Sequence, residues 1–438
     1  MNTADLLAIT SEALAITRLG ERTVDTPLAE LIGSRPETMH YVTPTDRVLL
    51  DDTLGMAKRR GGVAADLPAF NPGGPREKLF FDPATVTAGI VTCGGLCPGL
   101  NNVVRGLVLQ LSKAYGAKSI LGFRDGYRGL TDESEAVILT PENVRDIHNR
   151  GGTILGTSRG NQDPVAMVDT LVRHGVDMLF VIGGDGSLRG AQKIAAEALR
   201  REVPIAVVGI PKTIDNDIPW IDHSFGFQTA FSRAAESIRS AHTEAGSTLG
   251  GVGLVKLMGR HSGFIACYAT LANHDVDFTL IPEVPFRLDG FLCALRERVE
   301  RQGHAVVVVA EGAGQDLLPQ TTQTDPSGNA KLADIGAFLR ERITEHFGDA
   351  PLSLRYVDPG YAIRSVPANA FDAVYCTRLA QAAVHAGMAG FTSLVVARWH
   401  GRFVHVPIAL ATASRNQVDP HGDLWMSVLE ATGQPRRF

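Results

Sequence analysis

The 438-residue sequence predicts an α/β fold of two doubly wound, Rossmann-like lobes with mainly parallel sheets, plus an N-terminal extension. Two observations predict it. From about residue 85, short β-branched and apolar runs alternate with segments of helical pattern, which is the rhythm of βαβ units. These units are also too numerous for one open sheet, so we expect two lobes.

The strands and helices are predicted in chain order from this alternation. The predicted strands are Thr87–Thr92, Asp177–Ile182, Ile205–Ile210, Val252–Leu257, His304–Ala310 and Phe391–Ala397. The predicted helices are Asn101–Tyr115, Ser187–Arg201, Gln228–Ala245, Gly263–Leu271 and Asn369–Ala386. Near the end of the chain, Leu394–Ile408 is predicted to form a hairpin that turns at His400 and Gly401.

The same pattern predicts how the chain divides. Residues 1–80 are expected to be an N-terminal extension, with a Gly/Pro-rich linker around residues 61–75. Residues 81–226 are expected to form the first lobe, completed by about 369–415. Residues 227–368 are expected to form the second lobe, completed by the C-terminal segment.

Composition excludes several classes of protein. The formal net charge of −5 argues against a general nucleic-acid binder, which usually carries a basic field. The five cysteines are scattered, so neither a disulfide framework nor a four-ligand zinc site is indicated. The N-terminus lacks the pattern of a signal peptide, and no apolar run approaches the ~20 residues that span a bilayer. We therefore expect a cytoplasmic protein without a membrane partner.

Two glycine-rich turns join predicted strands to predicted helices. Strand Thr87–Thr92 runs into a turn over residues 93–99, and strand Asp177–Ile182 ends in Gly183-Gly184-Asp185-Gly186-Ser187. Such turns offer backbone N–H groups to phosphate, and a carboxylate among them can hold Mg²⁺. Each turn alone could equally be a tight turn or a helix cap. Two of them in successive units favour phosphate binding.

A third polar turn follows strand Ile205–Ile210. It contains Lys212, Thr213, Ile214, Asp215 and Asp217. A carboxylate here could accept a proton from a hydroxyl nucleophile, and the lysine could neutralise phosphate charge. The alternative is a solvated loop. Further glycine-flanked or strand-end loops carry residues suited to phosphate contacts, namely Arg159 with Gly160, Met258-Gly259-Arg260, Glu311, and Tyr361 with Arg364.

Taken together, these segments resemble the phosphofructokinase family. The resemblance covers roughly Gly73–Ile408, and it depends on the ordered set of motifs rather than on any single one. Cys93-Gly-Gly-Leu-Cys-Pro-Gly-Leu-Asn, Gly74-Pro-Arg-Glu-Lys and Tyr361-Ala-Ile-Arg-Ser-Val-Pro-Ala-Asn-Ala are similar to the plant and trypanosomatid ATP-dependent branch. The resemblance implies transfer of the γ-phosphoryl group of ATP to fructose 6-phosphate with Mg²⁺, in a homotetramer or homodimer.

The resemblance also implies roles for individual residues. Asp215 would take the proton of the sugar hydroxyl, with Arg260 stabilising the transferring group and Asp217 supporting the site. Asp185 would hold Mg²⁺. The first lobe would bind ATP through Gly94, Arg159, Gly160, Gly184, Asp185, Gly186 and Ser187. The sugar phosphate would contact Lys212, Thr213, Ile214, Asp215, Met258, Gly259, Arg260, Glu311, Tyr361 and Arg364.

Three positions bear on the choice of phosphoryl donor and on assembly. Gly186 resembles ATP users and Lys212 resembles pyrophosphate users, and the plant-like ATP enzymes combine both, so ATP is expected. A pyrophosphate-dependent enzyme and a non-catalytic nucleotide-binding regulator are the alternatives. Gly251 stands where short bacterial enzymes carry an arginine, which puts in doubt a sugar-phosphate ligand from a neighbouring subunit.

Overall fold

The computed structural model describes residues 3–29, 41–61, 67–131, 136–319, 323–324 and 331–438. The strands are β1 (Thr17–Arg18), β2 (Val24–Asp25), β3 (Val48–Leu49), β4 (Ala69–Pro72), β5 (Lys78–Leu79), β6 (Thr87–Thr92), β7 (Ser119–Phe123), β8 (Val137–Ile138), β9 (Met178–Gly183), β10 (Ala206–Pro211), β11 (Gly251–Leu257), β12 (Phe278–Leu280), β13 (His304–Ala310), β14 (Ser353–Val357), β15 (Phe391–Thr392), β16 (Leu394–Trp399) and β17 (Arg402–Pro407). The α-helices are α1 (Thr3–Ala8), α2 (Leu54–Arg60), α3 (Leu100–Leu109), α4 (Pro164–Arg173), α5 (Asp185–Arg200), α6 (Phe227–Gly246), α7 (Phe264–Leu271), α8 (Leu288–Gln302), α9 (Ile335–Phe347), α10 (Gly360–Arg364), α11 (Ala370–Met388), α12 (Ile408–Ala411) and α13 (Asp423–Thr432).

The chain forms two compact units. The first comprises residues 1–213, 218–226 and 367–414, and the second comprises residues 214–217, 227–366 and 415–438. The predicted α/β class with mainly parallel sheets is confirmed. Residues 214–217 belong to the second unit, although the sequence-based division counted them with the first lobe.

The first unit is built on a nine-stranded sheet of order β3-β4-β17-β16-β10-β9-β6-β7-β8. Its central strands β16, β10, β9, β6 and β7 pair in parallel, and the strands beyond them pair antiparallel. Every residue of β6, β9 and β10 is buried, as expected for parallel strands that helices cover on both faces. The carboxyl ends of these three strands carry the predicted polar turns.

The N-terminal residues do not form a separate extension. Strand β4 pairs with β17 and β3 pairs with β4, so both add to the main sheet of the first unit. Strand β1 pairs with β15. The predicted linker is therefore wrong over Ala69–Pro72, which is strand, whereas its residues 62–66 lie outside the described part of the chain.

The C-terminal part of the first unit contains the predicted hairpin. Strands β16 and β17 pair antiparallel, with Trp399 opposite Arg402, and both turn residues have positive φ (47° at His400 and 75° at Gly401). That geometry is typical of a two-residue hairpin turn. The predicted strand Phe391–Ala397 is instead two strands, because Ser393 has a φ of 58° and interrupts the extended backbone.

The second unit has a four-stranded, wholly parallel sheet of order β12-β13-β11-β14. The run Val306–Val309 in β13 is fully buried, as the sequence predicted. Phe278, Phe291 and Leu339 belong to the apolar core that packs on this sheet. The Asp334 side chain accepts hydrogen bonds from the N–H groups of Gly336 and Ala337 and so caps α9.

No helix in the described ranges is long and apolar enough to cross a membrane. The five cysteines are free, and four of them are buried. The described residues contain no group of three or more His, Cys, Asp or Glu side chains that could hold a metal ion.

Candidate functional site

The predicted site residues fall into two sets, one in each unit. The first unit contains Gly94, Arg159, Gly160, Gly184, Asp185, Gly186, Ser187, Lys212 and Thr213. The second unit contains Ile214, Asp215, Asp217, Met258, Gly259, Arg260, Glu311, Tyr361 and Arg364. Asp215 and Arg260 therefore share a unit, and Asp185 belongs to the other.

The turn after β6 lies against the arginine-bearing loop of the first unit. The Gly94 N–H donates to the carbonyl of Ser158 (3.2 Å), and the Thr157 hydroxyl donates to the carbonyl of Gly94 (2.6 Å). Gly94 has a φ of +83°, and a Cβ added there would lie 3.6 Å from Nζ of Lys212. The positive φ requires glycine, and the short distance shows how closely the turn approaches the lysine.

Lys212 links the ends of two strands. It follows β10 and is almost fully buried (6% exposed), and its Nζ donates to the carbonyl of Gly95 (2.8 Å). Its N–H also donates to the carbonyl of Gly183 at the end of β9. A buried ammonium group is thus held where the turns after β6, β9 and β10 converge.

The turn after β9 leads directly into α5. Asp185 is the first residue of the helix, and its Oδ2 forms an ion pair with Arg189 (3.1 Å). The Tyr127 hydroxyl donates to the carbonyl of Ser187 and so fixes the first turn of the helix. A Cβ added at Gly186 would meet nothing within 4 Å, so this position faces open space at a helix N-terminus.

Thr213 completes the first-unit set. Its carbonyl accepts a hydrogen bond from the buried Ser224 hydroxyl, which holds the backbone at the point where the chain passes to the second unit.

Arg159 and Gly160 are both exposed, and Gly160 has a φ of +106°.

The surroundings of Asp215 in the second unit raise the pKa of its carboxyl group. Burial, with the negative charges of Asp217 and Glu311, raises the pKa of Asp215 to about 8. A backbone hydrogen bond from Arg260 and the charge of Arg415 act in the opposite direction. The Oδ1 atom of Asp215 is shielded from solvent and has no hydrogen-bond partner among the described residues. A shielded acceptor with a raised pKa is suited to taking up a proton.

The C-terminal segment holds the loop that carries Asp215. Arg415 pairs with Oδ2 of Asp217 (3.0 Å), and the Asn416 N–H donates to the carbonyl of Asp217 (2.8 Å). On the other side, the Ser262 hydroxyl donates to the carbonyl of Asp215 (3.0 Å). The loop backbone is therefore fixed by two separate segments of the second unit.

Glycines bring the turn after β11 against the turn after β13. Gly259 has a φ of +131°, and the Gly312 N–H donates to its carbonyl (3.1 Å). A Cβ at Gly312 would lie 2.0 Å from the carbonyl oxygen of Arg260, so no side chain fits there. The close approach fixes the backbone on both sides of Arg260.

Glu311 lies between positively charged neighbours. Burial raises the pKa of Glu311, although the charges of Arg260 and Lys256 act in the opposite direction. Burial also opposes the charged form of Lys256, but ion pairs with Asp358 (2.9 Å) and Asp334 (3.0 Å) raise its pKa overall. Lys256 is thus anchored as a cation beside the site.

Tyr361 and Arg364 form a pair on α10, in which Tyr361 is exposed and Arg364 is half-buried. Tyr361 is 79% exposed, and the guanidinium carbon of Arg364 lies 4.4 Å from the centre of its ring. Such an arrangement is a cation–π contact at the surface. Ile214, by contrast, is buried, and Met258 is half-buried.

Gly251 has a local reason to be glycine. A Cβ at this first residue of β11 would lie 1.9 Å from the carbonyl oxygen of Ala245. No larger residue fits without moving the end of α6. The arginine of the short bacterial enzymes therefore has no counterpart at this position.

Sequence reasoning missed three residues of the second unit. Arg415 affects both predicted carboxylates, Lys256 affects Glu311, and Glu283 accepts hydrogen bonds from the N–H groups of Gly263 (2.9 Å) and Val418 (2.8 Å). A signal existed only for Lys256, which is the one charged residue in an otherwise apolar strand. Arg415 and Glu283 lie in polar segments without a recognisable pattern.

Comparisons with known proteins agree on one family. Residues 87–387 match the family model described as phosphofructokinase. A curated ATP-dependent 6-phosphofructokinase of Amycolatopsis methanolica is 57% identical over 97% of this chain and 95% of its own length. ATP-dependent 6-phosphofructokinase 7 of Arabidopsis thaliana is 50% identical over 84% of this chain and 77% of its own.

A solved structure shares the fold. The crystal structure of a pyrophosphate-dependent phosphofructokinase from Marinobacter aquaeolei has a TM-score of 0.67 and 21% identity, over 79% of this chain and 91% of its own.

Proposed function

This chain belongs to the phosphofructokinase family, and from that premise we propose which of its residues carry out ATP-dependent phosphorylation of fructose 6-phosphate. The activity is that of a 6-phosphofructokinase: the γ-phosphoryl group of ATP is transferred to the 1-hydroxyl of the sugar phosphate, giving fructose 1,6-bisphosphate and ADP. The roles of the individual residues are the subject of the proposal.

The observation that carries the proposal is the state of Asp215. Asp215 has a carboxylate oxygen without a hydrogen-bond partner among the described residues, and its pKa, raised to about 8, makes the ionised form a stronger base than an ordinary carboxylate. Asp215 takes the proton of the 1-hydroxyl as the sugar oxygen attacks the γ-phosphorus. The bond from phosphorus to the bridging oxygen breaks, and ADP leaves with that electron pair.

Arg260 and Asp217 assist Asp215 in different ways. Arg260 stabilises the charge on the transferring phosphoryl group, which suits a guanidinium held by tightly packed glycine turns. Asp217 keeps its ion pair with Arg415 and acts as a positioning residue. Its negative charge also keeps the pKa of Asp215 high.

The first-unit set binds the nucleotide. Backbone N–H groups at Gly184–Ser187 face the phosphates, Gly94 has no side chain to keep them away, and the N-terminus of α5 adds a favourable dipole. Lys212 contributes a buried positive charge beside these turns. The open space at Gly186 leaves room for the nucleotide, whereas an aspartate there would repel its phosphates. Arg159 and Gly160 complete the nucleotide side.

Mg²⁺ fits the donor set around Asp185. Mg²⁺ in phosphoryl-transfer enzymes binds one or two carboxylates and substrate phosphates, rather than an all-protein cage. Asp185 supplies one carboxylate between two glycines at a helix N-terminus, where phosphates can approach closely. When bound, the metal neutralises charge on the phosphates and aligns them for transfer.

The second-unit set binds the sugar phosphate. Arg260 and Arg364 suit bidentate contacts to its phosphate, and Glu311 suits hydrogen bonds to its hydroxyl groups. The remaining contacts are assigned to Ile214, Met258, Gly259 and Tyr361, and to Lys212 and Thr213 of the first unit. We further propose that the enzyme acts in the cytoplasm as a homotetramer or homodimer. Since Gly251 cannot carry a side chain, no arginine from that position completes a neighbouring subunit's site.

Three single substitutions test these roles. Asp215→Asn should lower kcat about 10²- to 10⁴-fold, the usual contribution of a general base. Arg260→Gln should lower kcat/KM for fructose 6-phosphate, and Asp185→Asn should raise the Mg²⁺ concentration that gives half-maximal rate. Asp349→Asn, an exposed carboxylate of the second unit, serves as the matched control. Retention of most activity by Asp215→Asn would refute its role as the base.

A further inference from the structure

The first unit contains a cavity of about 480 Å³ whose lining includes none of the residues assigned to substrates. Its walls come from residues 18, 20–22, 41–44 and 76–78. The charged side chains in this lining are Arg18, Arg22, Arg76, Lys78, Glu21 and Glu77. We refer to it as the arginine pocket.

Arg76 lies at the buried part of this pocket. It is 5% exposed, and one guanidinium nitrogen donates a hydrogen bond to the carbonyl of Pro72 (2.8 Å). Its other terminal nitrogen, Nη1, is buried without a hydrogen-bond partner in the described part of the chain. Burying a charged donor without a hydrogen-bond partner costs free energy, and native proteins normally provide such a donor with a partner.

Arg22 repeats the same situation beside it. The Arg22 Nε donates to the carbonyl of Ala389 (3.1 Å), but its Nη2 is buried and bonds to none of the described residues. The guanidinium carbons of Arg18, Arg22 and Arg76 lie 5.5, 4.5 and 5.6 Å from the centre of one ring, that of Phe391. Three cations thus lie close to a single aromatic ring.

Among the described residues, no acidic side chain that lines the pocket lies at its buried end. Burial, with the charge of Arg22, lowers the pKa of Arg76 to about 9, and the charge of Asp46 acts in the opposite direction. Glu21 and Glu77 are exposed. Lys78 is exposed too and already pairs with Asp25 (2.6 Å). The buried end of the pocket therefore has an excess of positive charge.

The buried histidines nearby add no negative charge. Burial and the charge of Arg76 lower the pKa of both His385 and His405, so both rings are neutral near neutral pH. The neutral rings of His385 and His405 therefore leave the positive charge at the buried end of the pocket unchanged.

We propose that the arginine pocket binds a small phosphomonoester, with its phosphoryl group between Arg22 and Arg76. Guanidinium groups match phosphate in geometry and charge, and Arg22 and Arg76 both line the pocket. The pocket volume of about 480 Å³ is larger than a phosphate ion requires. It lies in the range of binding sites for small molecules. Tyr41 and the exposed acids Glu21 and Glu77 are available to the hydroxyl groups of the remaining part.

Arg76 lies in the Gly74-Pro-Arg-Glu-Lys motif, to which no substrate role is assigned. The proposal therefore does not depend on the roles proposed for Asp215, Arg260 or Asp185, and it can fail or succeed independently of them.

Calorimetric titration of the full chain with glycerol 2-phosphate tests the proposal. A non-hydrolysable ATP analogue is kept saturating to fill the nucleotide site, and fructose 6-phosphate, itself a small phosphomonoester, is left out. A repeat of the titration in Arg260→Gln identifies any binding at the sugar-phosphate site. We expect one site per chain, with binding about 10- to 100-fold weaker in Arg22→Gln and in Arg76→Gln, the effect of losing a charged hydrogen bond. Arg378→Gln is the matched control, since that arginine also lies over a ring (Phe403, 5.1 Å) in the first unit but outside the pocket.

Several outcomes would overturn the proposal. Equal binding in wild type and Arg22→Gln would do so, and because Arg22 is only half-buried this variant remains informative if Arg76→Gln folds poorly. A second titration with inorganic phosphate separates the possible sources of the phosphoryl group. Binding of inorganic phosphate without the ester would exclude a phosphomonoester. A changed oligomeric state in Arg22→Gln with unchanged ester binding would assign the pocket to a second copy of the chain.

Discussion

Asp217→Asn should shift the pH dependence of the reaction toward lower pH. In the free protein, burial and the charges of Asp217 and Glu311 raise the pKa of Asp215 to about 8. The base acts in its ionised form, so kcat/KM for fructose 6-phosphate should rise with pH up to that pKa. The substitution removes one repelling charge and frees Arg415, whose positive charge favours ionised Asp215. Both effects lower the pKa of the base.

The size of the effect follows from the ionised fraction. With a pKa of about 8, roughly one tenth of Asp215 is ionised at about pH 7. If the substitution lowers the pKa by about one unit, that fraction becomes about one half, so kcat/KM at about pH 7 rises roughly fivefold. Arg415→Gln should act oppositely and move the midpoint to higher pH.

The assay measures initial rates of fructose 1,6-bisphosphate formation from about pH 5.5 to 9.5 at constant ionic strength, because the shift is electrostatic. Product is quantified after quenching, so that no coupling enzyme contributes its own pH dependence. Asp349→Asn controls for the loss of one carboxylate of the second unit. An unchanged or higher midpoint in Asp217→Asn, or a lower one in Arg415→Gln, would refute the electrostatic reasoning.

Three further predictions concern the glycine turns and Glu283. Gly186→Asp should lower kcat/KM for ATP by about 100-fold or more, which is equivalent to about 2.7 kcal/mol. The melting temperature should stay nearly unchanged, because a Cβ at this position meets open space. A large fall in melting temperature would contradict this prediction. Gly259→Ala should cost about 1–3 kcal/mol of unfolding free energy in denaturant titrations, since φ is +131° and the new Cβ lies 2.5 Å from the Ser262 carbonyl oxygen; Gly246→Ala, with nothing within 4 Å, is its control. Glu283→Ala should cost about 2–3 kcal/mol of unfolding free energy, because it leaves the N–H groups of Gly263 and Val418 unpaired. Glu283→Gln keeps an acceptor and should cost less. Equal losses of unfolding free energy in the two variants would argue against a role of these hydrogen bonds. Burial raises the pKa of Glu283, so wild-type stability should fall relative to Glu283→Gln as pH rises above the ordinary pKa of 4.5.

Local patterns predicted the central strands well because burial on both faces leaves a strong signal. Strands β6 and β13 have the predicted bounds, and β9 and β10 differ from prediction by one residue at each end. Helix α3 ends at Leu109, but the chain continues as π-helix to Tyr115, where the predicted helix ends. Ser393 interrupts a predicted strand through its backbone conformation alone, which no apolar pattern reveals.

Long-range pairings were not predictable in the same way. The short strands β3 and β4 carry little pattern of their own and are stabilised by pairing next to β17, more than 300 residues later in the chain. The contacts of Arg415 and Asn416 with the Asp217 loop likewise join segments about 200 residues apart. Sequence motifs identified Asp215 and Asp217, but the charges that raise the pKa of Asp215 depend on how the chain folds around it.

Donor choice provides the most direct test of the whole account. The purified chain is incubated with fructose 6-phosphate and Mg²⁺, with either ATP or pyrophosphate, and initial rates of fructose 1,6-bisphosphate formation are compared. We expect rapid turnover with ATP, little with pyrophosphate, and loss of the ATP reaction in Asp215→Asn. Faster turnover with pyrophosphate than with ATP, or an ATP reaction that is unchanged in Asp215→Asn, would contradict it.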